Sequence, residues 1–183
     1  MAEVLAFGLT QKELIDGCIA GNRNCQEVLY RYFSPKMFGI CLRYGSDYHS
    51  SEDILQEGFI KVFNNLNKFR GDGSFEGWLK RIFINTAIEH YRKSQNHKGH
   101  TELDAVRANA VNGVAIQNLA TQDLLKLVQK LSPGYRMVFN LYVIEGFSHK
   151  EIAQKMGISE GTSKSQLARA RVILQNMVIA QQG

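Results

Sequence analysis

Apolar residues recur at three and four positions along most of this chain, and only two prolines, Pro35 and Pro133, are present to break the rhythm. Strand-like alternation of Val, Ile and Thr is nearly absent, so long stretches carry the helical period and little else. An all-α fold follows. At 183 residues the chain can form one ordinary domain or two small ones, and 44% hydrophobic content is enough for real cores.

The pattern divides the chain. Helical periodicity runs from about Gln11 to Lys93, then fades in the polar, small-residue stretch QNHKGHTELDAVRANAVNGVAIQN, and resumes near Thr121. The expected organisation is therefore an N-terminal helical bundle over residues 1–95, a flexible linker over 96–120, and a second helical domain over 121–183. No repeat at solenoid periods is visible.

Within the first block, Ser51 followed by Glu52 and Asp53 predicts a helix N-terminus. Leu55, Phe59, Val62, Phe63 and Leu66 form one apolar stripe behind it, with Asp53, Gln56, Glu57 and Ile60 on another face. RGDGS then supplies two glycines for a tight loop, and Ser74 a cap for the next helix. In that helix Phe75, Trp78, Leu79, Ile82, Ile88 and Tyr91 make an apolar side, which assigns Trp78 to the core rather than to a stacking platform. Lys80, Arg81, Asn85, Arg92 and Lys93 are polar groups lying elsewhere.

The second block is more strongly punctuated. Asp123 to Leu131 predicts a short helix, Ser132-Pro133 opens the next and Gly146 ends it. Ser148-x-x-Glu151 is a capping box, Gly157 a turn, and Ser159 the cap of a long last helix. With the small Ala153 where helices cross and Ile158 plugging the turn, this is a helix-turn-helix pattern. On the last helix Leu167, Ala170 and Leu174 should face the core, and Lys164, Ser165, Ala168 and Arg169 should point outward.

Charge and cysteines narrow the classes. The net charge of +5 says little alone, but between Trp78 and Lys98 five basic residues face one acidic residue, a distribution suited to phosphate. Cys18, Cys25 and Cys41 are odd in number and lack a CxxC pair, which favours reduced thiols in the cytoplasm over a disulfide framework. No apolar run can span a bilayer, and MAEVLAFGLT lacks the basic start of a signal peptide.

On these residues the chain resembles bacterial RNA polymerase sigma factors of the extracytoplasmic-function type. DILQEGFIKVFNNLNKF is similar to the segment that binds the clamp helices of the largest polymerase subunit. FRGDGSFEGWLKRIFINTAIEHYRK resembles the segment that reads and melts the minus-10 element, and LSPGYRMVFNLYVIEGFSHKEIAQKMGISEGTSKSQLARAR the domain that binds the minus-35 element. The three occur in the family's order.

The resemblance implies roles. Asp53, Gln56 and Glu57 would meet core polymerase. Phe69, Arg70, Gly71, Asp72, Gly73 and Ser74 would form the loop that accepts a flipped minus-10 base, with Asn85 reading a base edge and Arg92 and Lys93 on phosphates. Gly161, Thr162, Lys164, Ser165 and Arg169 would meet the minus-35 duplex, Arg169 as a bidentate guanine contact. The partners implied are core RNA polymerase, promoter DNA and an anti-sigma factor; no cofactor, metal or catalytic residue is expected. Two positions depart from the family's habit: Ser163 stands where a branched apolar residue is common, and Gln166 where Arg or Lys is common.

Two other classes are open to such a sequence. A stand-alone helix-turn-helix regulator would bind duplex DNA without polymerase, which the DILQEG segment and FRGDGS loop argue against. An enzyme or metal site built from His97, His100 and the cysteines lacks paired ligand spacing, and no nucleophile motif or phosphate-cradling loop is present.

Overall fold

The computed structural model describes residues 8–97 and 125–182, and its architecture is helical as the periodicity requires. In chain order the helices are α1 (Gln11–Ile19), α2 (Arg23–Tyr44), α3 (Tyr48–Asn65), α4 (Phe75–His97), α5 (Pro133–Phe139), α6 (His149–Met156) and α7 (Glu160–Gln182). Residues 125–129 form a short helical piece before α5, so within the described residues the predicted Asp123–Leu131 helix ends two residues early, its chain turning at Lys130 and Leu131. Residues 96 and 97 still continue α4, and the rest of the expected 96–120 linker lies outside the described residues, as does His100.

Caps decide the boundaries. Thr10 and Ser148 each make a complete capping box, with Glu13 and Glu151, and Ser159 accepts a hydrogen bond from the Thr162 amide at 2.9 Å. Helix α3 corrects the sequence expectation, because it begins one turn before Ser51. Asp47 is its cap: the Asp47 carboxylate accepts from the Ser50 amide at 2.7 Å, and the Ser50 hydroxyl accepts from the Asp47 amide at 3.1 Å. Ser51 is instead buried, its hydroxyl donating to the Asp47 carbonyl at 2.7 Å, in a space that a side chain on Gly45 would occupy. Two capping residues four positions apart competed, and the carboxylate that also closes a reciprocal pair prevailed.

Helices α1 to α4 enclose a core of Leu14, Leu29, Phe33, Met37, Phe59, Val62, Phe75, Leu79 and Phe83. Its rings meet edge to face, Phe33 on Phe75 at 5.5 Å and Phe59 on Phe83 at 5.2 Å between centroids. Trp78 packs half-buried on Phe75 with nearly parallel rings, as expected of a core residue. In the C-terminal half Leu127, Val128, Leu131, Ala170 and Leu174 form a small core of their own. Met137, Val138, Leu141, Ile152, Met156 and Leu167, however, belong to the same apolar cluster as α1 to α4. The two halves are packed together.

All three cysteines are free thiols. Burial pushes the Cys41 thiol up to about 12 and the Cys18 thiol up to about 11, whereas each would ionise near 9 in an unfolded chain. Between those values the unfolded state holds fewer protons than the folded one, so stability must fall as pH rises from 9 toward 12. Each buried thiol contributes a slope of about 1.4 kcal/mol per pH unit within its window. Urea unfolding at pH 8 to 11 should therefore show a declining midpoint, and Cys41→Ala should flatten the decline.

Candidate nucleic-acid interface

Three surfaces carry the residues singled out by sequence. On α3, Asp53 and Gln56 are exposed, and beside them Ile60, a large apolar group, is 60% exposed. Glu57 differs. Its carboxylate lies 3.0 Å from the Lys61 ammonium and 3.5 Å from that of Lys93, while Lys61 also pairs with Glu89 at 2.8 Å. Partial burial pushes the Glu57 carboxyl up, but the Lys61 bond and the two positive charges outweigh it and hold it below the ordinary range. Glu57 thus ties α3 to α4, whereas Asp53, whose carboxylate lies 3.8 Å from the His49 ring on the same helix, and Gln56 remain exposed.

The second surface is the loop before α4 and one strip along that helix. Gly71 and Gly73 have φ of +80° and +98°, conformations that side chains resist, and residues 70–74 are exposed. Phe69 turns inward onto Phe75 and Trp78 at 5.1 and 5.6 Å, anchoring one end of the loop. Ser74 anchors the other, its hydroxyl accepting from the Gly77 amide at 3.0 Å. Helical spacing then sets Arg81, Asn85 and Arg92 in line, four and seven residues apart, and all three are exposed. The strip extends about 27 Å from Ser74 to Arg92 at 1.5 Å per residue. Arg81 is the residue sequence reasoning left out of this set, although the spacing alone could have found it. Lys93, by contrast, is drawn toward Glu57.

The third surface is the turn between α6 and α7. Gly157 adopts a left-handed conformation, φ +72°, which reverses the chain where the sequence placed a turn. Gly161, Lys164, Ser165 and Arg169 are exposed and Thr162 is half-buried, while Leu167, Ala170 and Leu174 are buried beneath them. The Arg169 guanidinium donates to the Tyr135 hydroxyl at 3.3 Å, a long hydrogen bond. Lys164 is 4.0 Å from Glu160.

The two unusual positions have structural accounts. Ser163 is fully buried, with its hydroxyl 2.9 Å from His149 Nδ1, and the His149 ring stacks on Tyr142 at 4.5 Å. A hydrogen bond to the start of α6 therefore replaces apolar packing at this crossing. Gln166 is turned in beside Gly134, its amide oxygen buried, so it braces α5 rather than facing a phosphate.

The second and third surfaces meet. Lys155 on α6 donates to the Asn85 side-chain oxygen at 3.3 Å. At the other end of the contact Glu145, with a side chain only 5% exposed, lies 3.1 Å from Arg43 and 2.8 Å from Lys80.

Known proteins match over both halves. The model of Sigma-70 region 2 matches residues 29–97, and that of Sigma-70 region 4 residues 121–174, together well over half of the chain. The ECF RNA polymerase sigma-E factor of Escherichia coli K12 is 29% identical over 182 aligned residues, covering 93% of this chain and 95% of its own. The RNA polymerase sigma-H factor of Pseudomonas aeruginosa is 29% identical over 178, covering 89% and 92%. Among solved structures the sigma factor RpoE of Bartonella quintana, in complex with the anti-sigma factor NepR, aligns with a TM-score of 0.53 and 24% identity, covering 83% of this chain and 95% of that one. That likeness is one of fold.

Proposed function

Because this chain belongs to the sigma-70 family, as an extracytoplasmic-function sigma factor that directs RNA polymerase to promoters, we propose a division of that work among its residues. Residues 1–97 bind polymerase and open the minus-10 element, residues 98–120 are the linker, and residues 121–183 grip the minus-35 duplex. The chain itself catalyses nothing and works in the cytoplasm with the polymerase; among the described residues no helix is long and apolar enough to cross a membrane.

Asp53 and Gln56 form the polymerase contact, with Ile60 as its apolar centre, and Glu57 acts by holding α3 against α4. An acidic and amide face of this kind suits a basic partner surface, contributing orientation and association rate. The loop of Arg70, Gly71, Asp72, Gly73 and Ser74, walled by Phe69, receives the unstacked base, because its glycines allow close backbone approach and Asp72 offers a base-edge acceptor. Asn85 reads a neighbouring base, and Arg81 and Arg92 hold phosphates along the same strip. Lys93 reaches phosphate only by leaving Glu57.

At the upstream element, Gly161, Thr162, Lys164 and Ser165 bring the start of α7 to the duplex, and Arg169 contacts a guanine. An anti-sigma factor restrains the protein by covering these polymerase-facing helices, a partnership of the kind named for the Bartonella quintana relative.

The observation that carries this reading is the sidedness of α3, α4 and α7: residues matched to family roles occupy faces turned away from the core that holds the same helices together. Run-off transcription with core polymerase tests it. Asp53→Ala with Gln56→Ala should weaken binding to core polymerase about three- to tenfold, the size expected of exposed polar contacts, and leave the affinity of the free chain for duplex DNA unchanged. Equal loss of both would count against the assignment.

A further inference from the structure

The crossing of α6 and α7 is held by a polar contact at a place where an apolar plug would fit. Ser163 lies in the first turn of α7, between Thr162 and Lys164, and is fully buried. Its hydroxyl is 2.9 Å from Nδ1 of His149, the first residue of α6. The cap of α6 is complete without that ring, because Ser148 and Glu151 close it between themselves. The half-buried His149 ring is thus left to reach α7.

An aromatic brace stands behind the pair. The His149 ring stacks on Tyr142 at 4.5 Å between centroids with the planes 22° apart, and Tyr142 belongs to the wide turn Asn140–Ile144 that continues α5. The Arg171 guanidinium lies 6.0 Å from the Tyr142 ring centroid, within the range of a cation–π contact. Ser163 and Arg171 are eight residues apart on α7, about 12 Å along its axis at 1.5 Å per residue. One histidine–tyrosine stack therefore touches α7 at two separated points and ties it to both preceding helices.

Direction distinguishes this bond from apolar packing. An aliphatic side chain in the same groove keeps its burial when a helix turns by several degrees, whereas a hydrogen bond weakens steeply with distance and angle. A turn of α7 by about 15° about its own axis would draw the Ser163 hydroxyl about 1 Å from its partner, and would move the longer Arg169 side chain further still. Recognition groups must hold position to within about 0.5 Å and about 10–20° to keep a paired contact. The rotation that breaks the buried bond would also misplace Arg169.

We propose that Ser163 and His149, backed by Tyr142 and Arg171, are a positioning pair that fixes the rotation of α7, so that upstream base discrimination depends on a buried hydrogen bond as well as on the groups that meet DNA. The proposal rests on the assignment of Arg169 to a guanine given above. Ser163 and His149 contact no DNA in that assignment. They act through Arg169.

Substitutions in the full chain, assembled with core polymerase, test it by competition among upstream duplexes varied one base pair at a time. Ser163→Ala and His149→Phe each remove the bond, the second keeping a ring to stack on Tyr142. Each should lower discrimination at the G·C position read by Arg169 about tenfold, while affinity for a mixed-sequence duplex stays within about twofold of wild type, because phosphate contacts at the start of α7 remain. The double variant should discriminate no worse than either single one. His149→Asn, whose amide occupies the place of Nδ1, should recover most of the loss, and His149→Gln, whose amide lies nearer the place of Nε2, should not. Where circular dichroism shows that a variant at one position no longer folds, the substitutions at the other decide.

Wild-type discrimination in the folded Ser163→Ala and His149→Phe variants would overturn the positioning role. So would losses that add in the double variant, an Asn that does no better than Gln, or an equal loss of affinity at every sequence. Failure of the Arg169 assignment would look different: wild type and Arg169→Ala would then discriminate alike at every upstream base pair, which would remove the basis of the positioning role as well.

Discussion

Phe83→Ala should cost the N-terminal helices about 3–5 kcal/mol, a large part of the margin by which a domain of this size is stable. The Phe83 ring is fully buried between α3 and α4, edge-on to Phe59 at 5.2 Å, and its seat exists only because residue 58 is glycine. A methyl group on Gly58 would overlap the ring itself. Truncating Phe83 removes its contacts and leaves a space that the flanking helices cannot close without moving, so the transfer and cavity contributions add. Thermal unfolding followed by circular dichroism should show a midpoint lower by roughly 10 to 20 °C.

Gly58→Ala alone should also destabilise, through overpacking. Combining it with Phe83→Ala should cost less than the two singly, because the new methyl occupies part of the vacated space. Strict additivity would show that the glycine and the ring are not coupled as the packing requires.

Arg169→Ala should weaken upstream recognition by the assembled polymerase between about five- and hundredfold, the range of one bidentate arginine–guanine contact. Arg169 is exposed on the outer face of α7, where its guanidinium gives the Tyr135 hydroxyl a bond of 3.3 Å. Competition binding with upstream duplexes varied one base pair at a time is the measurement. The loss should be concentrated at a single G·C position, and Arg169→Lys should recover little of it, since an ammonium lacks the paired donors of a guanidinium. A uniform loss at every sequence would reassign Arg169 to phosphate.

Helix positions, the turn at Gly157 and the outward faces of α3, α4 and α7 were legible in the sequence because they depend on neighbours within four residues. Thr162, capped through Ser159, and Arg169, opposite Leu167 and Leu174, needed only the helical period. The one misplaced start, at Ser51 rather than Asp47, arose where two local caps competed and the reciprocal pair of Asp47 with Ser50 prevailed, leaving Ser51 buried inside the first turn. Glu57 and Lys93 show where local reasoning ends. Each was assigned to a different partner by its own helix, yet they face each other at 3.5 Å, which depends on how α3 crosses α4.

The sequence by itself determined that this protein is helical, that it carries a helix-turn-helix preceded by a second helical block, and which side of each helix is apolar, because these follow from periodicity and capping along one stretch of chain. Only the tertiary structure decided that Ser163 bonds His149, that Gln166 turns inward, and that Glu145 meets Arg43 and Lys80 across the boundary between the halves. Those pairings join residues up to 102 positions apart. Nothing in local spacing encodes such a meeting; it is fixed by the shape of the apolar faces that pack first and by the cost of leaving a buried charge without its opposite.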